Sequence, residues 1–456
     1  MSKVPAPVYT TAYKPHPNEK MKATQWMGTR SIALGEVPKP MITAPKDAIV
    51  HITHCTICGS DLHMYEGELN QAMEKGDIMG HEAIGIVEEV GGQVKDLKVG
   101  DRVVILSVIA CGECDYCQRK EYSLCDKTNP SKEMESMWGH RLSGIFGYSH
   151  LTGGYPGNQA EYCRVPNADL VCVKAPKDVD AKKLLALADV VPTAWHGVEL
   201  AEVREGDVVG VWGCGPIGLS IQRLAKDIKG AKKVYALDKD PHRLALAKSF
   251  GMIPVDVSKH SDPADYILSI EPHGLDRGIE ASGFRSTDSK LHSTMRTVGL
   301  EGDSADTISE AIKATRKCGN VALIGDFFFS TNAFPIGMLM EKTITLRGGQ
   351  LMAQKYYPFL LDLVVEGKYD PSFVFTHEGK PAVASFNRAA LMASPCRQAR
   401  EHSRHVREAI QTPNTRRVEG MYVDCFRPVA GLKRSLASTE TATNVSARMV
   451  SRLQER

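Results

Sequence analysis

The feature that most limits what this chain can fold into is a glycine-rich turn, Gly-Cys-Gly-Pro-Ile-Gly, at residues 213–218. It directly follows an apolar run that ends at Trp212, and it opens a segment with helical periodicity. Glycines in such a strand-to-helix turn let the chain bend sharply, and they let backbone amides approach a pyrophosphate at the helix N-terminus. The residues that we expect to contact a dinucleotide here are Gly213, Gly215, Pro216, Ile217 and Gly218.

Strand-like and helix-like segments alternate throughout the region that contains this turn. Apolar, strand-like runs occupy residues 207–212, 233–237, 278–281, 320–324 and 343–346. Helical patterns occupy residues 182–188, 219–226, 242–250 and 307–317, whereas residues 284–306 show no clear period and are predicted to form an inserted loop. Such alternation is typical of an α/β fold with a doubly wound parallel sheet.

Asp238 ends the strand-like run after the turn and lies twenty residues past Gly218. A carboxylate at this position binds the ribose 2′-hydroxyl and repels a 2′-phosphate, so it predicts NAD in preference to NADP. Lys239 and Arg243 are nearby and weaken this preference, and Arg243 is itself a candidate cofactor contact.

The first 175 residues or so follow a different pattern. Short runs rich in Val and Ile, at residues 22–27, 48–53, 83–90 and 102–105, are separated by turn residues. Strands at this spacing predict a partly open β-barrel. With 456 residues, the chain is long enough for at least two hydrophobic cores.

Four cysteines are closely spaced as C-x2-C-x2-C-x7-C, at Cys111, Cys114, Cys117 and Cys125. Short loops of this kind let four thiolates converge on one tetrahedral zinc ion and leave no position for water, so the site is predicted to be structural. An iron–sulfur cluster and a nucleic-acid zinc knuckle are alternatives, but the interleaved aromatic and basic residues of a base-stacking module are absent.

A second, more dispersed set of ligands predicts a catalytic zinc ion. Cys58 offers a soft thiolate and His81 an imidazole, and Asp189 is the candidate third ligand, which leaves a fourth position for water or substrate. An isolated Asp near a helix end is more often a cap. Glu82, beside His81, is a candidate catalytic residue as a supporting group or occasional ligand. Cys55 is predicted to be a buried thiol on a strand.

Ser60 and His63 closely follow Cys58. An alcohol bound to zinc must lose its proton before hydride leaves, and a hydroxyl that passes this proton through an imidazole to water would serve. The alternative is a turn serine and a surface histidine, but the neighbouring metal thiolate favours a proton relay.

Together these motifs resemble those of the zinc-dependent medium-chain alcohol dehydrogenases. The matching segments are residues 58–63, 80–82, 100–103, 111–125 and 213–218, and the similarity runs from about Met21 to about Gly379. Residues 147–148 and 157–162 further resemble the formaldehyde dehydrogenase-like branch. The resemblance implies a GroES-like catalytic domain packed against a Rossmann domain, with the active site between them. It also places Asp189 at the third zinc ligand, Thr193 beside the nicotinamide, and Ser60 and His63 in the relay.

The domain organisation expected from pattern and resemblance has five parts. They are a flexible N-terminal extension (1–20), the GroES-like domain with its zinc lobe (21–180), the Rossmann NAD-binding domain (181–345), a partial return to the catalytic domain (346–379) and an atypical tail (380–456). From residue 397 onward there are 11 Arg against 1 Lys, compared with 14 Arg and 30 Lys before it. The tail is predicted to be disordered or incorrectly translated. The alternative is an Arg-rich arm that binds anionic partners.

Composition excludes several classes of function. A net charge of +2 gives no general attraction to nucleic acid or membranes, and no apolar run approaches the roughly 20 residues of a bilayer span. Without a signal or transit peptide, and with dilute cysteines, we expect a cytoplasmic protein. The resemblance implies a homo-oligomer acting on a small-molecule substrate.

The predicted function is oxidation of a small alcohol, or of a hydrated aldehyde such as formaldehyde, with NAD as hydride acceptor and two zinc ions per chain. A dismutase that keeps its NAD bound is the alternative enzyme. A catalytically inactive relative that binds zinc and a dinucleotide is the alternative outside enzymes.

Overall fold

The structure, a computed structural model, describes residue 11, residues 14–283 and 303–375, and the backbone of two short strands at 377–379 and 421–424. The strands are β1 (Pro15–Gly28), β2 (Ser31–Pro40), β3 (Ala48–Ile57), β4 (Ala83–Val90), β5 (Arg102–Ile105), β6 (Val108–Ile109), β7 (Gly144–Ile145), β8 (Tyr162–Val165), β9 (Cys172–Lys174), β10 (Val208–Trp212), β11 (Lys233–Asp238), β12 (Ile253–Asp256), β13 (Leu275–Glu280), β14 (Thr315–Leu323), β15 (Thr345–Gly348), β16 (His377–Gly379) and β17 (Met421–Asp424). The helices are α1 (Gly59–Glu66), α2 (Asp115–Gln118), α3 (Lys132–Trp138), α4 (Ala168–Val171), α5 (Ala181–Leu185), α6 (Val190–Leu200), α7 (Pro216–Arg223), α8 (Pro241–Ser249), α9 (Pro263–Ile270), α10 (Asp306–Ala314), α11 (Ile336–Glu341) and α12 (Ala353–Val365).

The second half of the chain forms a six-stranded parallel sheet with the order β12-β11-β10-β13-β14-β15. Its central strand, β10, is buried on both faces because residues alternate between two cores. Val209 and Val211 pack in the core that includes α6 and α7, whereas Trp212 packs with Ala264 and Ile308 on the opposite face. The predicted doubly wound α/β sheet is confirmed.

Strands β3, β4, β5, β8 and β9 of the first half join β16 and β17 from the later chain in a seven-stranded, largely antiparallel sheet. Its order is β16-β17-β3-β4-β5-β9, and β8 pairs with β3. The β1–β2 hairpin forms a separate two-stranded sheet. Burial of Ile49, Ile84 and Val104, which have no exposed surface or almost none, stabilises this sheet by roughly 1.5–3 kcal/mol per side chain. The predicted GroES-like domain is confirmed.

Several expected boundaries shift in the structure. Strand β1 begins at Pro15, inside the stretch expected to be a flexible extension, because prolines are tolerated in a strand that has a free edge. The parallel sheet ends at Gly348 rather than at 345. Residues 284–302 of the expected inserted loop lie outside the described residues. Helix α10 begins at Asp306, the last residue of that expected loop.

The tail, which the sequence predicts to be disordered or incorrectly translated, contains a strand in the structure, β17. Strand β17 pairs with β3, and Val423 lies opposite Cys55. Backbone pairing of this kind requires only free amides and carbonyls at a strand edge, so the composition of the stretch did not reveal it. Cys55 is buried as expected, but it is disulfide-bonded rather than a free thiol. The other residues of 380–456 lie outside the described residues.

None of the helices in the described ranges combines the length and the apolar character that crossing a bilayer requires.

Candidate active site

The pairing of β3 with β4 brings Cys58 together with two further potential ligands, His81 and Glu82, which are 23 and 24 residues further along the chain. Cys55 lies opposite Ala83 in this antiparallel pair, so the chain beyond β3 and the chain before β4 meet at one end of the sheet. Cys58 follows β3 and precedes α1, while His81 and Glu82 precede β4. Their donor atoms all lie within 4.8 Å of one another.

Neighbouring polar groups orient this Cys–His–Glu cluster. The Thr56 hydroxyl donates a hydrogen bond to Glu82 Oε2, while buried Oε1 has no hydrogen-bond partner among the described residues. Asp61 Oδ1 lies 3.9 Å from His81 Nδ1, so a carboxylate faces one edge of the imidazole. Asp61 Oδ2 accepts a hydrogen bond of 2.9 Å from the backbone amide of Cys58, so one carboxylate supports both cluster residues.

The charge around the cluster fits a divalent cation. Desolvation, followed by the carboxylates of Glu82 and Asp189, raises the pKa of the Cys58 thiol well above its ordinary value. Burial, followed by the charge of Asp189, raises the pKa of Glu82 to about 7. Acids gathered in a poorly solvated site repel one another unless a cation neutralises them. A soft thiolate, an imidazole and a carboxylate form a donor set that zinc accepts.

Asp189, the expected third ligand, is not part of the group within 4.8 Å. It lies just before α6 and lines the same cavity as Cys58 and His81. Its Oδ1 accepts a hydrogen bond of 2.7 Å from the Thr193 hydroxyl, one helical turn further along. Among the described residues, therefore, Glu82 is the carboxylate that groups with Cys58 and His81 within 4.8 Å, and Asp189 is a second carboxylate facing the same cavity.

Ser60 and His63 both lie on α1 and line the cavity. Ser60 Oγ is 3.9 Å from Cys58 Sγ, so the hydroxyl is directly beside the cluster. His63 Nδ1 lies 2.6 Å from Glu68 Oε2, and 33% of the His63 side chain is exposed. The helix thus places a hydroxyl near the candidate metal ligands and a partly exposed imidazole one turn further along, an arrangement compatible with a proton relay.

The four-cysteine segment forms the second cluster. The sulfurs of Cys111 and Cys117 are 3.8 Å apart, and those of Cys114 and Cys125 are 3.9 Å apart. Four sulfurs at about 2.3 Å from a central zinc ion would lie about 3.8 Å from each other, so the spacing fits tetrahedral coordination. All four are buried, and backbone amides of residues 113 and 114 point at Cys111 Sγ.

The glycine-rich turn connects β10 to α7, as predicted. Gly213 has φ of +102°, and a Cβ on Gly218 would lie 2.1 Å from the carbonyl oxygen of Gly213. Gly215 immediately precedes α7, with Pro216 as its first residue. Glycine at 213 and 218 therefore allows both the turn and the close contact between strand and helix.

Asp238 ends β11 beside this turn. Its Oδ2 accepts a hydrogen bond of 2.7 Å from the backbone amide of Cys214, and its Oδ1 accepts one of 2.9 Å from the backbone amide of Asp240. Arg243 Nη1 lies 3.9 Å from the same carboxylate. The structure thus places Asp238, the expected ribose-binding carboxylate, beside Arg243, the residue that weakens the predicted preference for NAD over NADP.

One cavity of about 420 Å³ joins the predicted metal and cofactor residues. From the antiparallel domain it is lined by the Cys58–His81–Glu82 group and by Ser60 and His63. From the parallel sheet it is lined by residues 215–217 and by the segments that follow the carboxyl ends of β13, β14 and β15. Ligands of open α/β sheets bind at this edge.

Sequence reasoning missed four polar residues around the cavity: Thr56, Tyr148, Glu280 and Asp326. Tyr148 and Asp326 line the cavity, and Thr56 supports Glu82. Glu280 ends β13, where its Oε1 accepts hydrogen bonds from the amides of Ser282 and Gly283 and from the Thr307 hydroxyl. Tyr148 lies in the segment 147–148 that resembles the formaldehyde dehydrogenase-like branch, but the resemblance gave it no role. The other three belong to no spaced motif, and for Asp326 the one available signal was a polar residue shortly after an apolar strand-like run.

Glu280 gives a prediction for stability against pH. Burial raises the pKa of Glu280 from 4.5 to about 7. Between these two pH values, the folded protein therefore keeps a proton on Glu280 that the unfolded chain has lost. The free energy of unfolding should therefore fall as pH rises from about 4.5 to 7, by up to about 3 kcal/mol. We expect urea unfolding to show a smaller loss over this range for Glu280→Gln, and equal pH slopes for variant and wild type would contradict the assignment.

The fold and the two clusters define a class of protein: a two-domain, zinc-binding oxidoreductase that joins a GroES-like catalytic domain to a Rossmann domain. Comparison with known families agrees. Residues 44–177 match the family described as alcohol dehydrogenase GroES-like domain, and residues 216–366 match the family described as zinc-binding dehydrogenase.

Individual proteins give the same result. A zinc-type alcohol dehydrogenase-like protein of Schizosaccharomyces pombe is 46% identical over 374 residues, 81% of this chain and 88% of that protein. Zinc-type alcohol dehydrogenase-like protein AdhB of Bacillus subtilis is 38% identical over 78% of this chain and 93% of its own length. A glutathione-independent formaldehyde dehydrogenase of Pseudomonas aeruginosa is 33% identical over 57% of this chain and 65% of that protein.

Solved structures share the fold. An alcohol dehydrogenase from Thermus sp. ATN1 is 28% identical with a TM-score of 0.70, over 89% of this chain and 100% of that chain. An alcohol dehydrogenase from E. coli, complexed with NADH, is 21% identical with a TM-score of 0.66, over 89% of this chain and 100% of that chain. This chain belongs to the zinc-dependent medium-chain alcohol dehydrogenase family.

Proposed function

We propose that the protein oxidises a small alcohol, or the hydrated form of an aldehyde such as formaldehyde, by transferring hydride to NAD. The observation that supports this most strongly is the shared cavity, which Cys58, His81 and Glu82 line from one side and residues 215–217 from the other. An alcohol bound at the cluster would face a dinucleotide bound on the turn. The sequence similarity to a formaldehyde dehydrogenase supports the hydrated aldehyde as one substrate.

The proposal gives each ligand a role. Cys58 and His81 would hold the catalytic zinc ion, with Glu82 and Asp189 as the two carboxylates able to complete its ligand set. The four cysteines at 111–125 would hold a second, structural ion. When bound, catalytic zinc supplies Lewis-acid polarisation of the substrate oxygen, and NAD supplies the hydride acceptor.

The protein's own residues would manage the proton and the cofactor. Ser60 would accept the proton of the substrate hydroxyl, and His63, held by Glu68 at 2.6 Å, would pass it toward solvent. Thr193 would lie beside the nicotinamide, on the helix that Asp189 precedes. The amides at the start of α7 would face the pyrophosphate. A cytoplasmic location and a homo-oligomeric state remain predictions.

A direct assay tests this proposal. Zinc-loaded protein mixed with NAD and a short alcohol, or with NAD and formaldehyde, should show growth of reduced-nicotinamide absorbance. If turnover occurs without added NAD and the cofactor stays bound after desalting, the dismutase is favoured instead. No turnover on any alcohol or aldehyde, with both zinc sites filled, would contradict the proposal.

Asp238 tests the choice of cofactor. Asp238→Ala should raise KM for NAD about tenfold, because one charged hydrogen bond to the ribose is lost, and should raise the relative efficiency with NADP. Steady-state kinetics with both cofactors measures the change. Asp265→Asn, on the exposed surface of α9, is the matched control. An NAD to NADP ratio that does not move in Asp238→Ala would exclude the assigned role.

A further inference from the structure

Asp326 places a carboxylate in the active-site cavity that the proposed chemistry does not use. It follows the carboxyl end of β14, in the segment Ile324-Gly325-Asp326, and lines the same cavity as Cys58 and Ser60. A carboxylate accepts hydrogen bonds and donates none at neutral pH. The residue is therefore suited to a ligand group that carries a hydroxyl.

Tyr148, from the antiparallel domain, positions this carboxylate. Its hydroxyl donates a hydrogen bond of 3.3 Å to Asp326 Oδ2. The Tyr148 ring also lies edge-on to the imidazole of His81, with ring centroids 6.0 Å apart, and it is 8% exposed. Tyr148 thus reaches from a metal ligand on one side of the cavity to Asp326 on the other.

The surroundings of Asp326 differ from those of a structural carboxylate. Asp303 nearby accepts hydrogen bonds of 2.7 Å from the backbone amides of Phe328 and Phe329 and is 1% exposed. Within the described ranges, the hydrogen bond recorded for the Asp326 side chain is the long one to Tyr148, and its residue is half-buried. An oxygen atom of Asp326 is therefore left for a ligand.

We propose that Asp326, positioned by Tyr148, is a specificity-determining residue that accepts a hydrogen bond from a second hydroxyl group of the substrate. The inference rests on the proposed function and narrows its substrate class. A hydrated aldehyde carries its second hydroxyl on the reacting carbon, and a vicinal diol carries it on the next carbon. A monohydric alcohol of the same size leaves the carboxylate without this partner, which costs affinity in a poorly solvated cavity.

Paired substrates test the inference. The substrates are 1,2-ethanediol against ethanol, and hydrated formaldehyde against methanol, with zinc-loaded full-length protein and NAD. In at least one pair, the wild type should have a higher kcat/KM for the substrate with two hydroxyl groups than for the monohydric alcohol. A preference for 1,2-ethanediol indicates that Asp326 recognises a vicinal diol, and a preference for hydrated formaldehyde indicates a geminal diol. In Asp326→Leu this preference should fall about 10- to 100-fold, because a hydrogen bond to a charged group is lost.

Further variants separate recognition from a structural effect. Tyr148→Phe keeps the ring against His81 and removes the donor to Asp326, so the preference should fall in the same direction by about 3- to 10-fold. Asp326→Glu should restore part of the preference. Asp265→Asn, which removes a carboxylate outside the cavity, should leave the preference at its wild-type value. Zinc content and NADH binding, measured for each variant, show whether the site is intact.

Binding measurements keep this inference distinct from the proposed function. The proposed function fails if the wild type oxidises no alcohol or aldehyde at all. Ligand-observed NMR titration of the zinc- and NAD-loaded protein with the same pairs then decides the inference alone. Preferential binding of the diols that is lost in Asp326→Leu supports it. Equal preference in wild type, Asp326→Leu and Tyr148→Phe, by rates or by binding, overturns it.

Discussion

Replacement of Cys58 by alanine is expected to remove one of two zinc ions per chain and to lower kcat/KM for alcohol oxidation by about 10³-fold or more. Cys58 is the one thiolate of its cluster, and without it the site keeps one imidazole and carboxylates, a donor set that binds zinc less tightly than one with a thiolate. Metal analysis of the purified protein, together with the reduced-nicotinamide assay, measures both effects.

Cys318→Ala is the matched control for this experiment. Cys318 is an exposed free cysteine outside both clusters, so its removal should leave two zinc ions and wild-type rates. Retention of both zinc ions in Cys58→Ala would show that this residue is not a ligand. A wild-type protein that binds a single zinc ion, held by the four-cysteine segment, would favour the inactive zinc- and dinucleotide-binding relative.

Loss of the structural cluster is expected to have the second largest effect. Cys111→Ser should remove the other zinc ion and lower the melting temperature by about 5–10 °C, because three remaining cysteines cannot close a tetrahedral site. Cys111 is central to its cluster, since its sulfur faces Cys117 and accepts hydrogen bonds from two backbone amides. Thermal unfolding and metal analysis together test the change.

The lobe is also tied to the active site, so activity should fall with it. The Ser123 hydroxyl donates a hydrogen bond of 3.2 Å to the carbonyl of Gln350, and Gln350 lines the cavity. Cys172→Ser is the control, because Cys172 is as buried as Cys111 but belongs to neither cluster. A melting temperature that falls equally in both variants, with two zinc ions retained in each, would contradict a structural metal at Cys111.

The sequence was most informative where function depends on residues close together in the chain. The four cysteines lie within fifteen residues, and the glycine-rich turn within six, so local spacing alone specifies what they can build. The alternation of strands and helices likewise predicted the parallel sheet, because each buried strand and each amphipathic helix carries its own period. These parts of the prediction needed no knowledge of distant contacts.

The sequence was less informative where distant segments meet. Whether Glu82 or Asp189 lies nearer to Cys58 depends on the register between β3 and β4 and on where α6 begins, and neither follows from spacing. Asp326 was missed because it is a single acidic residue after an apolar strand, and its contact with Tyr148 spans 178 residues. Strand β17 was missed because backbone pairing leaves little trace in composition.

We propose that a substrate held by the Cys58–His81 cluster faces the nicotinamide of a dinucleotide whose pyrophosphate lies at the glycine-rich turn, so that hydride passes directly between substrate and nicotinamide. The most direct test uses zinc-loaded protein, NAD and an alcohol deuterated at the reacting carbon. We predict that deuterium appears on the reduced nicotinamide ring and that Cys58→Ala gives none. Deuterium found only in solvent, or label transfer that does not need Cys58, would contradict the account.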